Sequence, residues 1–190
     1  GGITNAFQYG DVDFFLMDNR WNRTENDLAT VPEQMLGQDQ IDWLIELLAY
    51  SRAPFKFVAV GSQILNSAKK YENYANYEEE RAELLNRIAA EKIEGVVFLT
   101  GDRHHSELSM VEIDGIKMYD LTISPLTSGT HAPKDEVNEN LIEGSLFSVH
   151  NYGLMEVTGA FRDRTLKMEM RDAKGELLWE YSIHQDDFLE

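Results

Sequence analysis

Asp102, His104 and His105 stand at the end of an apolar run, Val96-Val97-Phe98-Leu99-Thr100, with Gly101 between. A carboxylate and an imidazole two residues apart are donor types that Zn, Fe and Mn sites use. The same residues would serve as a solvated ion pair in a loop, because short motifs recur by chance. Along an extended chain Asp102 and His104 point to one side and His105 to the other. His105 then either reaches a cleft, as a substrate contact or general acid, or packs on the opposite face as a hydrogen-bonded neutral imidazole. Arg20 has the planar fork that grips a phosphate through paired hydrogen bonds. A structural contact to Asp18 or to backbone would account for it too. Gln63 and Asn66 read either as cleft residues or as hydrogen-bonders in the core and turns. His131 in a polar loop, with His150 and His184 near strand ends, fits surface or capping roles. Ser106 has no spacing that argues for a Ser-His-Asp nucleophile. Tyr71, Tyr74 and Tyr77 either line a substrate mouth or form one packed face of a turn.

The elements that position these residues follow from periodicity. Apolar, partly β-branched runs at 11–17, 55–61 and 95–100 read as strands, each ending in polar residues. A strand is also expected just after Gly1-Gly2-Ile3. Between the runs, Ile41, Leu44, Ile45 and Leu48 mark a helical face that Trp43 and Leu47 widen. A second helix is expected from about Asn76, where Asn76 and Glu79 have capping-box spacing, with Leu84, Leu85, Ile88 and Ala89 as its apolar face. This β-α-β-α-β alternation predicts a parallel sheet covered by helices. The second half reads as antiparallel β. Residues 108–113 and 116–123 flank Asp114-Gly115, a hairpin signal, and three more strands follow around 154–157, 166–170 and 177–183. No repeat or linker divides the chain, so one domain is expected.

Composition limits the partners. Seventeen Lys and Arg against 34 Asp and Glu give a net charge of −17, a field that repels nucleic acid and anionic membranes. It would also repel a phosphate-bearing substrate unless bound cations reverse the local potential. No apolar run reaches the ~18 residues a bilayer span needs. With no Cys, disulfides, thiolate metal sites and a Cys nucleophile are excluded.

Several segments in order resemble one family. Tyr9-Gly10-Asp11-Val12-Asp13-Phe14-Phe15-Leu16-Met17-Asp18-Asn19-Arg20 is similar to the entry into the second half of PhoD-like (alkaline phosphatase D) metallophosphatases. Met35-Leu36-Gly37-Gln38-Asp39-Gln40-Ile41-Asp42-Trp43-Leu44 resembles the helix that follows. Val60-Gly61-Ser62-Gln63 and Leu99-Thr100-Gly101-Asp102-Arg103-His104-His105-Ser106-Glu107-Leu108 resemble later strand ends. Leu121-Thr122-Ile123-Ser124-Pro125-Leu126-Thr127-Ser128-Gly129 and Asn151-Tyr152-Gly153-Leu154 complete the order. The resemblance implies an α/β (α+β) fold, the C-terminal half of a four-layer α/β/β/α calcineurin-like metallophosphoesterase sandwich. Residues 1–188 would be that half, with 189–190 vector-derived.

The resemblance also implies a function. Asp102 and His104 would hold metal, His105 and Arg20 would take catalytic roles, and Gln63 and Asn66 would bind substrate. Two metal ions, divalent or trivalent (Fe, Zn, Mn or Ca), would activate a water that attacks a phosphate monoester or diester. The remaining metal motifs of the family are missing, and Ser62-Gln63 stands where relatives often carry a metal-binding His. The chain is therefore expected to supply part of a site. The alternative is a non-catalytic α/β binding module or a degenerate phosphatase relative. Export to the periplasm or the extracellular space and a homodimer through an uncovered sheet face are further expectations.

Overall fold

The computed structural model describes residues 2–26 and 28–189. Its elements, in chain order, are β1 (Asn5–Tyr9), β2 (Val12–Leu16), α1 (Gln38–Tyr50), β3 (Lys56–Ala59), α2 (Glu78–Ala90), β4 (Val96–Thr100), β5 (Glu107–Ile113), β6 (Ile116–Thr122), β7 (Asn151–Ala160), β8 (Asp163–Asp172) and β9 (Leu177–His184). The first six strands and β7–β9 form two sheets, ordered β1-β2-β3-β4-β6-β5 and β7-β8-β9.

The large sheet is mixed. β2, β3, β4 and β6 run parallel, while β1 and β5 are antiparallel edges. The β-α-β-α-β reading therefore holds for β2, β3 and β4. The expectation of purely antiparallel strands in the second half is corrected at β6, which lies parallel against β4. The hairpin at Asp114-Gly115 forms as expected, with φ of 50° and 80° at the two central residues, the left-handed pair that a two-residue turn between twisted strands requires. That hairpin folds β5 outward to the edge, so β6 takes the inner place.

Strand alternation splits the core into two layers. Along β4, Val96 and Phe98 face one cluster, packed with Ile41, Leu44 and Leu48 of α1 and Leu84 and Ile88 of α2. Val97 faces the other cluster, with Leu108, Leu121 and the small-sheet residues Leu166, Met168, Met170 and Ile183. Period-two patterning thus builds a helix layer, a large sheet and a small sheet in face-to-face contact. These are three layers of the expected α/β/β/α sandwich.

The N-terminus of the second helix differs from expectation. Residues Tyr74–Asn76 form a 3-10 turn, and α2 begins at Glu78 with no side-chain cap. Asn76 does not cap the helix because it lies inside that turn and Tyr77 takes the N-cap position; its Nδ2 donates back to Tyr71 O at 2.7 Å. Glu80, one turn into α2, instead reaches across to α1. It accepts from the backbone N–H groups of Met35, Leu36 and Gly37 at 2.7, 3.1 and 2.6 Å, which fixes the approach to that helix. Leu189 bridges to Ile116, while Gly1 and Glu190, which bear on how the two ends of the chain read, lie outside the described residues.

Candidate active site

Four parallel strands, β2, β3, β4 and β6, point their carboxyl ends to one edge of the large sheet, where α/β folds bind ligands. The segment leaving β4 is the centre. Asp102 and His104 both have positive φ, 69° and 61°, a conformation that costs non-Gly residues energy and persists only where surroundings impose it. Here the surroundings are specific. His104 N–H donates to Ser124 Oγ at 2.7 Å, Arg103 N–H to Gly101 O at 2.9 Å, and His131 N–H to His104 O at 2.8 Å. The chain is therefore not extended at this point. The expected sidedness nevertheless appears: Asp102 and His104 are exposed, whereas Arg103 and His105 are buried.

Asp102 and His104 open onto a cavity of about 530 Å³ that Arg20, Tyr71, Glu72, Arg103 and His131 also line. Arg20 arrives from the loop after β2. Asp18 shapes that loop by accepting from the N–H groups of Ile3, Arg20 and Trp21, and these donors hold its carboxyl below the usual carboxylate range. So Asp18 contacts the Arg20 backbone and leaves the guanidinium free to pair elsewhere. Its partner is Glu72, at 2.5 Å, which Arg23 also holds at 2.6 Å. The two guanidiniums pull the Glu72 carboxyl down to about 2.

Opposite, Tyr71 and His131 meet edge to face with ring centroids 6.0 Å apart. The Arg103 guanidinium lies 5.4 Å from the Tyr71 ring centroid and pairs with Glu136, which approaches His131 Nε2 at 3.5 Å. The three tyrosines thus divide: Tyr71 is at the mouth, while Tyr74 and Tyr77 are buried.

The other candidates lie beneath the cavity. Gln63, Asn66 and His105 are 0%, 2% and 0% exposed, and none of them lines it. Gln63 Nε2 donates to Glu107 Oε1 at 2.7 Å and to Thr122 Oγ1 at 2.9 Å, and Gln63 Oε1 accepts from Arg103 Nη1 at 2.7 Å. Asn66 Nδ2 donates to Glu107 at 2.6 Å. His105 sits with Nε2 3.6 Å from Glu107 Oε2, and neither ring nitrogen makes a hydrogen bond. Burial pushes the Glu107 carboxyl up, but the adjacent His105 and the amide donors outweigh it and hold it below its ordinary range.

Ser106 is buried and bonded to Asn151 and Ser124, a structural hydroxyl. His150 meets Ser128 O, and His184 caps the 3-10 turn Gln185–Phe188.

Sequence reasoning passed over Arg103, Glu107 and Glu136, and it read His131 as a surface residue. Arg103 carried a usable signal, since it sits between two residues assigned to the opposite side.

A family model for PhoD-like phosphatases matches residues 2–172. The chain belongs to the PhoD-like phosphatase family. Among solved structures, that of PhoD superposes with a TM-score of 0.68 at 18% identity, covering 96% of this chain and 41% of that one. At that identity the superposition speaks for the fold, a metallophosphoesterase sandwich. This chain spans less than half the length of that relative. No curated protein sequence matches significantly. Metallophosphoesterase chemistry is the family's activity, and the donor set here is only partial: among the described residues, no group of three or more His, Asp or Glu side chains is placed to hold a metal ion. No described helix is long and apolar enough to cross a membrane.

Proposed function

We propose that this chain contributes part of the active site of a metal-dependent phosphoesterase acting on phosphate monoesters or diesters. The observation that carries the reading is the turn after β4. Strained backbone presents one carboxylate and one imidazole, Asp102 and His104, to a cavity that also holds the Arg20 guanidinium. The donor chemistry fits a divalent or trivalent cation, though two donors fall short of the three protein ligands a hydrolytic Zn site typically uses. An oxygen and a nitrogen donor suit Fe, Zn and Mn, whereas Ca takes oxygen donors and would use Asp102 but not the His104 imidazole.

Bound cations would lower the pKa of a water and polarise the phosphoryl oxygens. The chain's own residues do the rest. Asp102 and His104 would hold the ions. Arg20, kept at the rim by Glu72, offers its fork to phosphate oxygens and offsets charge that grows on them. His105, Gln63 and Asn66 lie buried below the cavity, and Gln63 supports the turn through Arg103. With a net charge of −17, the protein needs those cations before an anionic ester enters.

Calorimetric titration tests the reading. Inorganic phosphate is expected to bind in the presence of Mn²⁺ and not in its absence, and His104→Ala is expected to abolish the metal-dependent binding. Equal phosphate binding with and without Mn²⁺ would contradict it and favour a non-catalytic module. Hydrolysis of p-nitrophenyl phosphate by the chain alone is expected to be slow. Rapid turnover lost in His104→Ala would show that two donors suffice.

A further inference from the structure

Glu107 opens β5 and is 2% exposed. Its Oε1 accepts from three side-chain amides, Gln63 Nε2 at 2.7 Å, Asn66 Nδ2 at 2.6 Å and Asn138 Nδ2 at 3.1 Å. An ionised carboxylate only accepts, so each amide must turn its NH₂ inward and its oxygen outward. The outward oxygens then take donors from the segments around the cavity. Gln63 Oε1 receives Arg103 Nη1 at 2.7 Å. Asn66 Oδ1 receives Ala68 N–H at 2.8 Å and Asn73 Nδ2 at 3.1 Å, in the loop that carries Tyr71 and Glu72. Asn138 Oδ1 receives Ser67 N–H at 3.2 Å and Asn140 N–H at 3.1 Å, tying in the segment that carries His131 and Glu136.

Polarity is thus dictated outward from one oxygen. Reversing the Gln63 amide would set NH₂ against the Arg103 guanidinium, donor against donor, in a buried setting where an unpaired polar group is costly. Arg103 in turn lies between Asp102 and His104, pairs with Glu136 and supports the Tyr71 ring.

We propose that Glu107 is the positioning residue of this site, fixing Arg103 through the Gln63 amide and thereby the turn that presents Asp102 and His104 and the Tyr71–His131 wall. The proposal rests on reading that turn as the functional site. Its test measures conformation rather than metal binding or turnover, so its failure would leave that reading standing.

NMR of the folded chain supplies the test. Glu107→Leu is expected to abolish the cross-peak between the Tyr71 and His131 rings and to move the His104 ring signals. Glu107→Gln, which keeps one acceptor oxygen for the three amides, is expected to restore both. Glu80→Gln, altering a buried carboxylate that accepts from the backbone leading into α1 and not from the Gln63, Asn66 and Asn138 amides, is expected to lower stability and leave these signals in place. A folded Glu107→Leu protein with the cross-peak and the His104 signals unchanged would overturn the proposal, as would failure of Glu107→Gln to restore them. Should Glu107→Leu not fold, Gln63→Leu decides, because Glu107 keeps Asn66 and Asn138. Loss of the Tyr71–His131 cross-peak supports the relay, and its retention refutes it.

Discussion

The two ends of the parallel strands bury charge in opposite ways. At the amino end, Lys56 Nζ donates to Ala53 O at 2.9 Å and Glu94 O at 2.8 Å, carbonyls in the connections that lead from α1 and α2 into β3 and β4. Gly95 closes the same end. Its φ is +79°, and a Cβ there would lie 2.3 Å from Pro54 O, so two backbones touch with no room between them. At the carboxyl end the buried polar groups are side chains bonded chiefly to one another. Asp120 Oδ2 accepts from Ile64 and Leu65 N–H at 2.7 and 2.8 Å, and its Oδ1 from Thr100 Oγ1 at 2.7 Å. Thr122, Gln63 and Glu107 continue the network up to Arg103. The amino end spends its charged donor on backbone closure. The carboxyl end sets its buried carboxylates beneath the turn that carries Asp102 and His104, the end at which the proposed site lies.

Burial acts on both charges, with opposite consequences for pH. It pushes the Asp120 carboxyl up to about 6 and the Lys56 ammonium down. Between about pH 4 and 6 the folded protein keeps the Asp120 proton that the unfolded chain has released, so this group's contribution to stability falls as pH rises. On the alkaline side, the folded protein sheds the Lys56 proton before the unfolded chain does, so that contribution rises with pH.

The largest effect is expected at the closed end. Gly95→Ala combines a left-handed backbone with a clash against Pro54 O and should cost about 2–5 kcal/mol in a denaturant titration. A loss below about 1 kcal/mol would show that the strand connections can separate there. Next, Asp120→Asn should flatten the fall in stability between pH 4 and 6, a term on the order of 2–3 kcal/mol. An unchanged pH profile would mean that its hydrogen bonds offset its burial.

Lys56→Met follows. Leaving the Ala53 and Glu94 carbonyls without their donor should cost about 1–3 kcal/mol, while phosphate binding with Mn²⁺ stays at its wild-type value. Weaker phosphate binding would join the two ends that the comparison separates. Arg20→Ala comes last in stability, under about 1 kcal/mol, because its pair with Glu72 lies at the surface. It should nevertheless weaken phosphate binding. Unaltered phosphate affinity would remove Arg20 from the site.

The fold was legible wherever one face of an element is apolar. The α1 face, the alternation in β4 and the Asp114-Gly115 turn each carry a local signal, and each formed. The placement of β6 beside β4 was not legible, because strand order depends on which hairpin arm turns outward, and nothing within 116–122 specifies that. Asn76 had capping spacing, yet it lies inside the 3-10 turn before α2, a placement made by a loop conformation that spacing does not encode. Within the site, Asp102 and His104 stood out by residue type. The roles of Arg103 and Glu107 depend on contacts to Gln63, Asn66 and Asn138, which are 31 to 44 positions from their partners. Such long-range amide networks leave no periodic trace in the chain.

The central claim is that the turn after β4 is where this protein holds metal. Mn²⁺ titration observed by NMR tests it most directly, because the paramagnetic ion broadens signals near it. The His104 ring signals are expected to broaden first and selectively, with Asp102→Asn shifting that broadening to higher Mn²⁺ concentrations. Broadening spread over the acidic surface, with His104 no more affected than other residues and Asp102→Asn without effect, would contradict the account.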